Sequence, residues 1–116
     1  MANFPFNNRC SRFLKALSDL NRLKILELLF KGHLCVSDMV KVLKVDQPKV
    51  SHHLAILKRA GIILDNRQGR KIIYSLHPAL CKKTRFTGKI DAGYCSVEFR
   101  FRQAGESTRL EEAATE

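Results

Sequence analysis

The sequence predicts a mainly α domain that carries one β-hairpin and an extra strand towards its C-terminus, an α+β arrangement. Three observations lead there. Apolar residues from Phe13 to Leu57 recur at helical spacing in four successive segments, the pattern of amphipathic helices sharing a core. After Gly61 the period changes and β-branched runs take over. Residues 94–102 then alternate, with Cys95, Val97, Phe99 and Phe101 on one side and Ser96, Glu98, Arg100 and Arg102 on the other, as in a half-buried strand.

Residues 10–18 carry Phe13, Leu14, Ala16 and Leu17 and predict a short amphipathic helix that stops near Asp19. Asp19 is placed to cap a second helix. Its Leu23, Ile25, Leu26, Leu28, Leu29 and Phe30 are apolar nearly all round, which puts this helix in the middle of the domain. Lys31 and Gly32 supply its C-terminal signal. A third helix over about residues 36–43 turns Val36, Val40 and Leu43 inward, with Met39 and Val42 flanking them. Lys44-Val45-Asp46 is a short turn into a fourth helix, so the pair reads as a helix-turn-helix.

Ile62-Ile63-Leu64 and Lys71 to Leu76 predict the two strands of the hairpin, with the polar run Asp65 to Arg70 as its tip. His77 to Lys83 reads as the start of one more short helix, broken at Thr87-Gly88. From Gln103 onward Gly, Ala, Glu, Ser and Thr dominate. Residues 1–102 are therefore expected to form the folded domain and residues 103–116 a flexible tail.

The fourth helix is the most informative segment. Val50, Leu54 and Leu57 fall on one stripe of a helix with about 3.6 residues per turn, and the remaining surface presents Gln47, Lys49, Ser51, His52 and Lys58. That surface holds amide, hydroxyl, imidazole and ammonium groups and no acid, the chemistry that hydrogen-bonds base edges and phosphates in a major groove. Asp46 can cap this helix, and Pro48 fits its first turn, where an amide hydrogen would be orphaned in any case. Directly after it, the hairpin tip carries Arg67, Arg70 and Lys71, placed to hold the DNA backbone or minor groove as a wing. His53 lies close to the apolar stripe and reads as a semi-buried structural histidine.

Charge supports a polyanionic partner. The formal net charge is +10, and residues 1–86 hold 17 Lys or Arg against 5 acids while residues 87–116 hold 4 against 6. The positive charge thus belongs to the folded body, and a body so charged repels itself unless a polyanion neutralises it. No apolar run is long enough to span a bilayer and the N-terminal residues lack an apolar signal core, so a cytoplasmic protein without membrane association is expected. The four cysteines at 10, 35, 81 and 95 contain no Cys-x-x-Cys pair, which argues against a zinc ribbon or a thioredoxin-like centre. Cys35 stands three residues before Asp38, in the frame of a helix capping box.

Five words in register resemble the ArsR/SmtB family of winged helix-turn-helix repressors. They are Phe13-Leu14-Lys15-Ala16-Leu17-Ser18-Asp19, Asn21-Arg22-Leu23-Lys24-Ile25-Leu26, the fourth helix with Ser51-His52-His53-Leu54, Leu57-Lys58-Arg59-Ala60-Gly61-Ile62, and Gly69-Arg70-Lys71-Ile72-Ile73-Tyr74. Together they cover residues 12 to about 80. The resemblance implies a homodimer on a double-stranded operator with inverted repeats, its half-sites ~10 base pairs apart, released when an inducer binds.

It also frames the thiols. One family design places Cys-Val-Cys at the start of the third helix to take arsenite, antimonite or soft metal ions. Here the word is Cys35-Val36-Ser37, in which the second thiol has become a hydroxyl, a poor ligand for a thiophilic ion. The resemblance therefore implies a metal(loid) site at Cys35 completed by Cys10, Cys95 or Cys81, with no obligatory cofactor. A second design, built on Asp and His of the last helix, is unsupported because the histidines are 33, 52, 53 and 77. A third senses oxidants or reactive sulfur through a cysteine pair, for which Cys35 with Cys81 or Cys95 is an option. From another class, a thiol oxidoreductase or arsenate reductase would need an anion loop that Cys10-Ser11-Arg12 does not supply.

Overall fold

The computed structural model describes residues 8–101. Helices α1 (Asn8–Leu17), α2 (Leu20–Lys31), α3 (Val36–Leu43) and α4 (Gln47–Arg59) are followed by strands β2 (Ile63–Gln68), β3 (Lys71–Leu76), β4 (Cys81–Lys83), β5 (Thr87–Asp91) and β6 (Ser96–Arg100), while a two-residue strand β1 (Leu34–Cys35) precedes α3. The strands form two antiparallel sheets, ordered β1-β3-β2 and β4-β5-β6. The fold is a winged helix-turn-helix with an added C-terminal sheet. The expected tail from residue 103 lies outside the described residues.

The helices end where their capping chemistry places them. Asp19 caps α2, its carboxylate accepting the Arg22 amide at 3.1 Å. Gly32 closes the same helix with its amide on the Leu28 carbonyl at 3.2 Å. At the end of α4, Gly61 takes φ +78, and the amides of Gly61 and Ile62 reach the carbonyls of Lys58 and Leu57. This is a Schellman closure, and it needs a residue tolerant of positive φ at that one position.

The core lies where α2 crosses the other helices and meets the wing. Ile25, Leu26, Met39, Leu54, Leu57, Ile62, Ile63 and Ile90 are essentially sealed from water. Each such side chain contributes about 1.5–3 kcal/mol by burial. Three side chains differ from expectation. Met39, expected at the flank of α3, is its most buried residue, whereas Val42 and, on α1, Leu14 are exposed.

The expected fifth helix does not form. After His77 the chain makes one turn, with the Leu80 and Cys81 amides on the His77 carbonyl and the Ala79 amide on its Nδ1, and then enters β4. Lys82-Lys83-Thr84-Arg85 offers no apolar side chain one turn beyond Leu80 and Cys81, so a helix would have no stripe to bury. Pairing with β5 satisfies the same backbone instead, in the register Cys81↔Ile90. Thr87-Gly88, expected as a breaker, begins β5. The turn before it is organised by Thr84, whose Oγ1 accepts the Phe86 and Thr87 amides.

The added sheet rests on α2 and α1 through an aromatic seam. Phe30 meets Phe101 at 5.5 Å and Phe99 at 6.5 Å between ring centroids, and Phe13 meets Tyr94 edge-on at 6.5 Å. Gly88 makes this contact possible: a Cβ there would stand 2.8 Å from ring carbons of both Phe30 and Phe101.

Candidate nucleic-acid interface and thiol pair

The solvent face of α4 is held by what lies behind it. Val50, Leu54 and Leu57 anchor α4 in the core with 1% exposure or less. Gln47, Lys49, Ser51 and His52 are consequently turned to solvent. The turn ahead of α4 depends on Lys44, which adopts the left-handed conformation (φ 56, ψ 41) and returns its amide to the Val40 carbonyl. Pro48 occupies the first turn as expected, but the side chain of Asp46 makes no capping bond to α4. The expectation for Asp46 is corrected on this point: the helix starts with the Val50 amide on the Asp46 backbone carbonyl.

A bracket around Arg22 fixes the orientation of α4. Its Nε donates to the Ala16 carbonyl at 2.8 Å and its Nη2 to the Lys15 carbonyl at 3.3 Å, closing the end of α1. Its Nη1 lies 3.1 Å from His53 Nδ1 on α4. A guanidinium only donates, so Nδ1 must be the acceptor and His53 must be neutral, with its proton on Nε2. Burial, followed by the neighbouring Arg22 and His52 charges, holds His53 below the ordinary histidine value, and Asp19 at 3.9 Å only partly opposes this. The placement of His53 as a half-buried structural residue matches its position beside the apolar stripe. The role of Arg22 has no local sequence signal, because its partners lie on two other helices.

The wing continues the same surface. Strands β2 and β3 pair out to Gln68↔Lys71, and Gly69 and Arg70 alone make the turn. Positive φ falls on Gly69 only, as a type II′ hairpin requires. Residues Asp65 to Gln68, expected in the tip, are thus paired strand, and Arg70 and Lys71 form the exposed end together with Arg67, whose Nε folds back to the Gly69 carbonyl at 3.4 Å. Lys58 differs from the other cations. Its ammonium donates to Asp65 at 2.8 Å, tying α4 to the root of the wing, and this bond raises the Lys58 pKa and lowers that of Asp65. Lys58 reaches a phosphate only by exchanging that carboxylate for it.

The thiols are arranged differently from expectation. Cys35 is buried at the start of α3, its Sγ 3.1 Å from Asp38 Oδ2 and 3.0 Å from Ser37 Oγ. The bond from the thiol is the main cause of the lowered Asp38 pKa: Cys35 donates to the Asp38 carboxylate, and its sulfur accepts no capping bond from the helix amides. Cys81 lies on β4, not on a helix, with its Sγ 3.9 Å from the Ile62 carbonyl, and burial pushes its pKa up to about 11. Cys10 of α1 and Cys95, just ahead of β6, face each other instead. Burial raises the Cys95 pKa first, and its hydrogen bond with Cys10 and the charges of Cys10 and Asp91 raise it further. Among the described residues no three Cys, His, Asp or Glu side chains converge to hold a metal ion. Among the described residues, a site centred on Cys35 is therefore not assembled within one chain.

A model of the family described as "Bacterial regulatory protein, arsR family" matches residues 19–64. The transcriptional repressor SdpR of Bacillus subtilis is 46% identical over 63 residues, 54% of this chain and 70% of that protein. The arsenic resistance transcriptional regulator ArsR1 of Pseudomonas putida is 43% identical over 65 residues, 55% of this chain, and the match spans about half (51%) of that protein's length. Among solved structures, the homodimeric winged helix-turn-helix DNA-binding domain of Mb0332 from Mycobacterium bovis, described as a possible ArsR-family regulator, superposes with a TM-score of 0.57 at 29% identity, covering 60% of this chain and 64% of that one.

Proposed function

The chain belongs to the arsR family of bacterial regulatory proteins, and from that premise we propose that it is a cytoplasmic, homodimeric transcriptional repressor that binds an inverted-repeat operator and leaves it when a thiol-reactive inducer binds. It is a regulatory protein and not an enzyme. The observation that carries the proposal is the face of α4. Gln47, Lys49, Ser51 and His52 stand exposed on a helix whose opposite stripe is sealed in the core. Those four side chains read bases or neighbouring phosphates, and Lys58, Arg67, Arg70 and Lys71 hold the backbone beside them. A competition titration against duplex from the region upstream of its own gene tests this. Scrambled duplex competes poorly if the protein is a repressor; equal competition would mean a sequence-blind DNA binder.

The inducer is proposed to be arsenite, antimonite or another soft metal ion, acting at thiols. ArsR1 is described as an arsenic resistance regulator, and the facing thiols of Cys10 and Cys95 supply two soft donors. The same pair favours a second reading, in which a peroxide oxidises it: the two thiols lose two electrons and two protons to form the Cys10–Cys95 disulfide, and hydrogen peroxide becomes two waters. Operator release by arsenite, cadmium and hydrogen peroxide, followed by fluorescence anisotropy on Cys10→Ser, Cys95→Ser, Cys81→Ser and Cys35→Ser, separates the readings. Loss of response in the first two variants locates the sensor at the pair. Loss only in Cys35→Ser would return it to the start of α3.

A further inference from the structure

The open edge of the C-terminal sheet carries a pattern that DNA binding does not use. Among the described residues β6 pairs with β5 alone, so its other side is an edge. Pairing with β5 also fixes which backbone groups face outward. The Ala92 amide donates to the Cys95 carbonyl at 2.9 Å and the Phe101 amide to the Phe86 carbonyl at 2.7 Å. In an antiparallel ladder such bonded pairs fall on every second residue. Residues 95, 97, 99 and 101 therefore point their backbone groups at β5, and Ser96, Glu98 and Arg100 point theirs at the open edge.

The side chains follow the same alternation. Ser96, Glu98 and Arg100 are exposed on the outer face, while Val97, Phe99 and Phe101 stay half-buried on the face that meets Phe30. Neither Glu98 nor Arg100 has an ion-pair partner among the described residues. An edge that combines unpaired backbone groups with a half-covered aromatic row is a template for another strand.

We propose that β6 pairs antiparallel with β6 of a second copy of this chain, on a two-fold axis through Phe99. The inference rests on the homodimer reading above and names its interface. Charge selects the register. A two-fold through residue 98 sets Glu98 against the partner's Glu98, and one through residue 100 sets Arg100 against the partner's Arg100. A two-fold through residue 97 leaves Glu98 facing the partner's Ser96. With the axis at residue 99, Glu98 faces the partner's Arg100 and Arg100 faces the partner's Glu98. These are also the residues whose amides and carbonyls point to the edge, so the same register closes the backbone bonds. On the other face Phe99 meets the partner's Phe99 at a non-hydrogen-bonded position, where Cα atoms approach to about 4.5 Å, and the half-buried aromatic row becomes continuous across the axis. Such a contact is isologous, as a closed dimer requires.

Sedimentation equilibrium on the full chain tests the pairing with Glu98→Arg, Arg100→Glu and the double swap, all at exposed positions. Each single reversal places like charges opposite twice in the dimer and is expected to weaken self-association about tenfold, while the double swap restores it to within about threefold. Hydrogen exchange supplies an independent readout: the Glu98 and Arg100 amides gain protection as protein concentration rises. A dimer whose affinity ignores both reversals and whose edge amides exchange freely at every concentration overturns the strand pairing and leaves the homodimer standing. Failure of the double swap to restore affinity overturns the register. A chain that stays monomeric throughout overturns the homodimer itself.

Discussion

The helical segment from Asp19 to Arg59 and the sheet from Cys81 to Arg100 are built by opposite means. In the first, each element carries its own instructions: the Asp19 cap, the Gly32 stop, Pro48 in a first turn and Gly61 at a last one. In the second, elements exist because distant strands accept them, as with Cys81 against Ile90 and Gly88 against Phe99. The first region carries the exposed face of α4 proposed to meet a duplex. The second covers α1 and α2 and brings Cys95 to Cys10. Local signals fix the part proposed to read DNA, and non-local pairing fixes the part that brings Cys95 to Cys10.

The contrast is broken most strongly in the helical region. Leu54→Ala removes a side chain that is 1% exposed at the centre of the α4 stripe. It is expected to lower unfolding free energy by about 3 kcal/mol in denaturant titration, and operator affinity with it. Gly88→Ala is the matching test of the sheet. Its new methyl must displace Phe30 and Phe101, and about 2 kcal/mol of destabilisation is expected. If Gly88→Ala unfolds with wild-type stability, the aromatic seam is loose and the sheet is not bound to the helices as described. Gly61→Ala strains a residue at φ +78 and is expected to cost about 1 kcal/mol at the junction of α4 and wing, read from the same titration.

The smallest effect sharpens the comparison through pH. His53 has a lowered pKa in the folded protein, mainly through burial. The unfolded chain binds a proton at the ordinary histidine value of 6.5, and the folded chain only at lower pH. Stability from neutral His53 is therefore complete above pH 6.5 and is lost as pH falls from there towards the folded value. His53→Gln should flatten this decline in urea midpoints measured from pH 7.5 to pH 5. An unchanged decline in the variant would mean that the Arg22 bracket does not exclude the proton.

The same division explains what could be read from sequence. Helices α1 to α4, the hairpin and the alternation of β6 were legible because spacing, caps and glycines agreed within each segment. The fifth helix was a false expectation because His77-Pro78 is a good helix start and nothing local reveals that β5 would claim Cys81 to Lys83. Strand β1 was invisible for a related reason: its two residues are strand only by virtue of Tyr74 and Ile73 opposite. At the candidate site, Gln47, Lys49, Ser51 and His52 followed from the stripe they oppose. The engagement of Lys58 by Asp65, the bracket of Arg22 and the meeting of Cys10 with Cys95 did not, since each joins elements that only the tertiary fold brings together.

The central claim is that α4 and the wing together form a cationic surface for duplex DNA. Its most direct test is the salt dependence of binding to duplex from the region upstream of the chain's own gene, for the wild type and for Arg67→Ala/Arg70→Ala/Lys71→Ala. Each phosphate neutralised contributes about −0.9 to the slope of log affinity against log salt, so the triple variant should lose roughly 2.7 of that slope per protomer, or about 5.4 for the dimer. A wild-type slope near zero, or a triple variant with the wild-type slope, would contradict the account.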